Sequence, residues 1–80
     1  MTESTVIKAR ETGTVVAYHL DRGGHGVVRA DGDGARVFVG GTQLARSGIK
    51  RLAAGDRISF DIVKDQFGGD DRAVNVRVLY

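Results

Sequence analysis

The sequence predicts an all-β fold, a small antiparallel barrel of five strands. Two observations support this prediction: short runs of alternating apolar and polar residues, and glycines that fall between those runs. The chain has 80 residues, with 12 glycines and no proline or cysteine. Alternation with a period of two is what a strand needs when one face packs inward and the other meets water. Glycines suit the tight turns between such strands.

The five strands can be assigned in order along the chain. Residues 12–20 include TVVAYHL, a run rich in the β-branched and aromatic side chains that favour strands. Residues 26–30 and 36–40 flank DGDGA, a strong signal for a hairpin turn. Residues 57–63 and 72–79 alternate between apolar and polar side chains, which predicts the fourth and fifth strands.

The remaining segments are a connection and a tail. Residues 42–56 contain too many glycines for a long helix, although TQLAR could form one helical turn. Residues 1–11 carry no strong pattern and are expected to be a flexible N-terminal tail. Residues 12–80 then form the only domain, because a chain of this size supports no more than one. The predicted core consists of Val15, Val28, Val37, Val39, Leu44, Ile58, Phe60, Ile62, Val74, Val76 and Val78.

Composition narrows the possible functions. The 12 basic and 10 acidic residues give a formal charge of +2, and most of the basic residues are arginine. Arginine forks onto phosphates and stacks on bases, which suits a nucleic-acid partner, but an ordinary solvated surface explains the same composition equally well. No apolar run approaches the roughly 20 residues that cross a bilayer, so we expect a cytoplasmic protein without membrane contact. No pattern of catalytic or metal-ligating residues is present, and we expect neither enzymatic activity nor a cofactor.

Several segments carry a family resemblance. TGTV, DRGGHGVV, RVFV, LAAGDRISFDI and AVNV occur in the order and spacing of the cold-shock domain, and the resemblance runs from Thr12 to Val78. A five-stranded barrel with a long third connection is also the OB fold, which is associated with oligonucleotide binding. The resemblance implies an OB-fold barrel that binds single-stranded RNA or DNA through two ribonucleoprotein-like motifs.

The two motifs are only partly kept. The first falls on residues 22–27, with Gly24 as an apparent insertion and with His25 and Val27 where the family has phenylalanines. The second falls on residues 37–41, where Phe38 remains and two glycines replace a histidine and a phenylalanine. The resemblance places the nucleic-acid-binding residues at Val16, Ala17, Tyr18, Arg22, His25, Val27, Arg29, Arg36, Phe38, Gly40 and Gly41.

These residues would bind through two kinds of contact, ionic contacts to phosphates and stacking on bases. The arginines would contact phosphates, while Phe38, His25 and Tyr18 would stack on bases. One stacked base contributes about 1–3 kcal/mol, so the loss of several aromatic platforms predicts weakened binding. Restoring histidine and phenylalanine at Gly40 and Gly41 is predicted to tighten it.

Two questions stay open at this point. Strand parity with Val15 turns Ala17 inward, whereas the resemblance puts Ala17 on the binding face, and a β-bulge would reconcile the two. The depleted face also allows an alternative function, an OB-fold protein-interaction module that has lost nucleic-acid binding. In the main interpretation the protein is a monomer whose partner is single-stranded RNA or DNA.

Overall fold

The computed structural model describes residues 6–64 and 71–79, which form a closed barrel of five strands. The strands follow one another around the barrel in the order β1-β2-β3-β5-β4. This arrangement confirms the predicted all-β OB-type barrel. The elements are β1 (Val6–His19), a 3-10 turn (Asp21–Gly23), β2 (His25–Ala30), β3 (Arg36–Gly40), α1 (Gly41–Arg46), β4 (Arg57–Val63) and β5 (Arg72–Val78).

Strand β1 is longer than predicted. It begins at Val6, where the sequence predicted Thr12, and its first half pairs with β4 from Val6 opposite Val63 to Thr14 opposite Arg57. Residues 6–11 therefore belong to the barrel, and the prediction of a tail is wrong for them. The second half of β1 pairs with β2. Three register shifts along β1 let a single strand curve around the barrel, because each bulge bends and twists the strand that carries it.

The barrel closes between β3 and β5, and this pair is parallel, with Phe38 opposite Arg72. The other four pairs are antiparallel, as predicted. The parallel pair follows from the connection: α1 and β4 intervene between β3 and β5, so the chain returns to the edge of β3 in the same direction. The helix α1 covers this end of the barrel with Leu44, which is fully buried.

The core matches most of the prediction and departs from it on β5. Val74 is only half-buried and Val78 is 47% exposed, so both were wrongly predicted as core. A register shift explains Val74: Ser59 pairs with Arg77 but Asp61 pairs with Val74, which leaves one extra residue on β5 and turns Ala73 inward instead of Val74. Val78 lies beyond this shift and pairs with the buried Ile58, but it is the last residue of β5 and is exposed at the strand end. The buried core contains Val15, Val28, Ala30, Val37, Val39, Leu44, Leu52, Ile58, Phe60, Ile62, Val63, Ala73 and Val76.

The turn predicted at residues 31–35 is present and is tied to the barrel. Arg57 donates two hydrogen bonds to the Asp31 carboxylate, from Nη1 to Oδ1 at 2.8 Å and from Nη2 to Oδ2 at 2.5 Å. Thr12 Oγ1 donates a third at 2.7 Å. These bonds lower the pKa of Asp31 to about 2.

Across the described ranges, the structure has no helix that is both apolar and long enough for a membrane span.

Candidate nucleic-acid interface

A β-bulge in β1 decides which side chains face outward. Val15 pairs with Val28 and Ala17 pairs with Val27, so Val16 is an extra residue on β1. Val15 is buried, Val16 is 42% exposed, and Ala17 then lies beside Val27 on the outer surface. The structure thus contains the bulge that the sequence required, and the resemblance placed Ala17 on the correct side.

The centre of this surface is a row of three apolar residues and one arginine that crosses four strands. Ala17, Val27 and Phe38 lie side by side on β1, β2 and β3, and Arg72 of β5 follows Phe38 across the closing pair. We call these four residues the central row. Phe38 is 46% exposed, although both its neighbours in β3 are core residues. A shallow cavity of about 240 Å³ lies along it, lined by Val27, Arg36, Val37 and Phe38.

One step towards the hairpin turn lies the arginine row, formed by Thr14, Arg29 and Arg36. Arg29 and Arg36 are exposed and stand directly opposite each other, an arrangement that is unfavourable for two like charges. Within residues 6–64 and 71–79 neither arginine makes an ion pair.

The nearby turn supplies carboxylates, but these have other partners. Asp31 is bound by Arg57, and Asp33 is bound by Lys8, whose Nζ lies 3.0 Å from Asp33 Oδ2. The hydrogen bond from the backbone N–H of Ala35 and the Lys8 ammonium lower the pKa of Asp33. Both carboxylates therefore stay charged near neutral pH and remain bound to Arg57 and Lys8. They do not neutralise the positive charge of the arginine row.

On the other side of the central row lies the histidine row, formed by His19, His25 and Gly40. The two imidazole rings are in contact, with centroids 5.2 Å apart and planes tilted by 38°. His25 Nε2 lies 3.2 Å from Asp21 Oδ1. Gly40 has an extended backbone, and a Cβ built on it meets no atom within 4 Å. The three rows together form what we call the binding face.

Tyr18 does not lie on this face. It pairs with Gly26, which is buried, so its ring points to the opposite side from Ala17 and packs against the core. A Cβ at Gly26 would lie 2.7 Å from Tyr18 Cδ1, which shows how closely the ring covers β2. The structure therefore separates Tyr18 from Phe38, with which the sequence had grouped it.

Gly41 is on the edge of the face and has a structural constraint of its own. Its backbone N–H donates to the carbonyl oxygen of Gly24 at 2.8 Å, and a Cβ at Gly41 would overlap the carbonyl oxygen of Gly23. Any larger residue must displace the segment that precedes β2. The structure therefore argues against a phenylalanine at Gly41, which the sequence analysis predicted to tighten binding. Arg22 belongs to the 3-10 turn, and its side chain lies outside the described residues.

Sequence reasoning missed three residues of the face, namely Thr14, His19 and Arg72. The first two follow from the β1–β2 register once the bulge at Val16 is known, but the bulge has no signature of its own in the sequence. Arg72 joins the central row only through the parallel β3–β5 closure.

Comparison with known proteins agrees with this geometry. The family model described as the 'Cold-shock' DNA-binding domain matches residues 11–79. The chain belongs to the cold-shock domain family. This membership identifies it as a nucleic-acid-binding module in general terms.

Three curated relatives match over most of the cold-shock domain. A "Cold shock-like protein" of Aquifex aeolicus (strain VF5) is 40% identical over 67 residues, which is 84% of this chain and 91% of that protein. A "Probable cold shock protein y4cH" of Sinorhizobium fredii (strain NBRC 101917 / NGR234) is 35% identical over 66 residues, 82% of this chain and 94% of that protein. The "Cold shock protein CspA" of Rhizobium meliloti (strain 1021) is 32% identical over 66 residues, with the same two coverages.

Proposed function

We propose that this cold-shock domain binds single-stranded RNA or DNA on the binding face, with fewer stacking contacts than the family pattern provides. The observation that carries the proposal is the pair Arg29 and Arg36 beside the exposed ring of Phe38. Like charges held opposite each other on a sheet destabilise the protein unless something negative lies nearby. A phosphate backbone supplies that negative charge, and the adjacent ring supplies a surface for a base.

The three rows have different roles in this proposal. The arginine row contacts phosphates, Phe38 stacks on one base, and His25 offers a second, smaller ring. Gly40 leaves a gap where a second platform could stand. Phosphate contacts release counterions, so most of the affinity is electrostatic and falls as salt rises.

The test is a fluorescence anisotropy titration of labelled oligo(dT) at low salt, with Phe38→Ala as the main variant. Loss of one stacked base costs about 1–3 kcal/mol, so Phe38→Ala should weaken binding at least about fivefold. Leu79→Ala is the matched control, because Leu79 is 43% exposed, close to the value for Phe38, and lies beyond the other end of β5. Leu79→Ala should leave the affinity unchanged.

Two results would contradict the proposal. One is the absence of binding at high protein concentration in low salt. The other is equal affinity for Phe38→Ala and Leu79→Ala. In either case the central row would be better explained by a protein partner, and light scattering followed by a pull-down would be the next measurement.

A further inference from the structure

A second cavity lies away from the binding face, between the first half of β1, β4 and β5. Its volume is about 830 Å³. Clefts that bind small molecules usually measure about 300–1,000 Å³, so the size is sufficient for a ligand. We call it the bulge cavity. The polar residues that line it are Arg10, Ser47, Ser59, Asp61, Asn75 and Arg77.

Two β-bulges shape the bulge cavity. Ala9 and Arg10 together oppose Asp61, because the register shifts between Lys8 and Glu11. Asn75 lies in the register shift of β5 described above. Arg10 and Asn75 both have left-handed backbones, with φ values of 56° and 53°. Residues other than glycine seldom adopt this conformation, and it concentrates at functional sites.

A single carboxylate holds both bulges. Asp61 Oδ1 accepts a hydrogen bond from the backbone N–H of Arg10 at 2.8 Å, and Oδ2 accepts one from Asn75 Nδ2 at 2.9 Å. These bonds lower the pKa of Asp61, so the carboxylate stays charged near neutral pH. Both carboxylate oxygens accept structural hydrogen bonds, and the Arg10 charge also helps to lower the pKa of Asp61, which lines the same cavity.

The groups that remain in the cavity suit a phosphate. The side chains of Arg10 and Arg77 are exposed, and within the described part of the chain neither forms an ion pair. Ser59 stands directly opposite Arg77 on β4, and Ser47 adds a second hydroxyl. Guanidinium groups bind phosphate through two parallel hydrogen bonds, and hydroxyls can supply further donors.

From this geometry we propose that the bulge cavity binds a phosphate group, independently of the binding face. Arg10 and Arg77 bind the phosphate oxygens, and Ser59 donates a further hydrogen bond. The phosphate belongs either to a free small molecule or to a nucleic-acid strand that extends around the barrel. The chemistry is the same in both cases, so the experiment must separate the two sources.

The experiment is a two-dimensional NMR titration of the complete protein with inorganic phosphate, with adenosine monophosphate and with oligo(dT). The amides of Ser59, Asn75 and Arg77 should shift at millimolar phosphate or nucleotide if the ligand is a free molecule. If the phosphate comes from a strand, the same amides should shift only with oligo(dT).

The variants are chosen to keep the fold. Arg77→Gln removes the charge, and Arg10→Asn does so with a residue that tolerates a left-handed backbone. Each substitution should lower the affinity for the ligand that shifts the cavity amides about tenfold, because each removes a charge-assisted hydrogen bond. Arg46→Gln is the control, since Arg46 is an exposed arginine outside the cavity. Phe38→Ala should leave phosphate and nucleotide binding unchanged, which separates failure here from failure of the proposed function.

Two outcomes would overturn the proposal. In the first, none of the three ligands shifts the amides of the bulge cavity. In the second, the shifts occur but Arg10→Asn and Arg77→Gln change them no more than Arg46→Gln does. The proposal is supported if Arg10→Asn and Arg77→Gln weaken the shifts. The ligand that produces the shifts then identifies the source of the phosphate.

Discussion

Gly40 is the position where one substitution should strengthen nucleic-acid binding. It lies opposite His25 in the histidine row, two residues beyond Phe38 on the same face of β3. Its backbone is extended, with φ −104° and ψ 155°, and the space around a Cβ there is open. Gly40→Phe therefore places a new ring on the binding face without a clash and without backbone strain.

The expected gain follows from one additional stacked base. Such a contact contributes about 1–3 kcal/mol, and 1.4 kcal/mol corresponds to about tenfold in affinity. We expect Gly40→Phe to bind oligo(dT) about tenfold more tightly than the parent protein. The melting temperature should change little, because phenylalanine favours a strand while the loss of glycine at the N-cap of α1 has a small opposite effect.

Gly41→Phe is the informative counterpart. Its side chain must displace the backbone of Gly23, so the substitution should destabilise the protein by about 2 kcal/mol, which corresponds to a fall in melting temperature of roughly 10 °C. The family resemblance treats Gly40 and Gly41 alike, but the two phenylalanine substitutions should have different effects on affinity and stability.

Anisotropy titration with labelled oligo(dT) measures the affinity, and circular dichroism measures the melting temperature. Ala45→Phe on the exposed surface of α1 controls for nonspecific attraction of a new aromatic ring. The reasoning is refuted if Gly40→Phe melts like the parent protein but binds no better than Ala45→Phe. It is also refuted if Gly41→Phe is as stable as the parent protein.

Three further predictions concern charge, acid stability and packing. Arg29→Gln and Arg36→Gln should each lower the slope of log affinity against log salt for oligo(dT) by about 0.7, because each removes one phosphate contact to a single strand; an unchanged slope would exclude that contact. The Asp31 carboxyl has a folded-state pKa of about 2, below its ordinary value of 3.8, so its contribution to stability is complete above the higher value and is lost as pH falls towards the lower one. Asp31→Asn should therefore lower the melting temperature at neutral pH and reduce its dependence on pH in that window, and identical acid melting curves would contradict this. Tyr18→Ala should lower the melting temperature by about 10 °C through lost packing, whereas Tyr18→Phe should leave oligo(dT) affinity unchanged; a weaker affinity for Tyr18→Phe would mean that its hydroxyl contacts the ligand.

The strands were predictable where alternation and turn chemistry agree. The hairpin of β2 and β3 and the strand β4 fall close to their predicted bounds. When apolar residues stand at every second position, only one set of side chains can face the core, so the strand and its orientation are fixed. The short helix after β3 was also predictable as a single turn. The β2–β3 pairing keeps one regular register from end to end, and the extra residues in the pairings of β4 lie on β1 and β5.

The bulges were not predictable, because an inserted residue has no typical composition. The extra residues of β1 and β5 include Val16, Arg10 and Asn75, none of which is a glycine. Each one reverses the alternation beyond it. This reversal explains why Ala17 is on the binding face and why Val74 is outside the core. The candidate site shows the same limit: motif positions transfer from the family, but the residues beside them depend on the register.

The alternation of β3 explains how this chain keeps the fold of its family while its binding residues differ. Val37 and Val39 are each 1% exposed, whereas Phe38 between them is 46% exposed. The inward pair contributes to folding, the outward residue is available for the binding that we propose, and the strand pleat keeps the two sets on opposite faces. Glycine at position 40 therefore leaves the barrel closed, because its missing side chain would have pointed to solvent. The same reasoning does not extend to position 41, where the backbone of the preceding turn occupies the space. A substitution on the outer face can thus tune affinity freely at Gly40, and at Gly41 only at the expense of the fold.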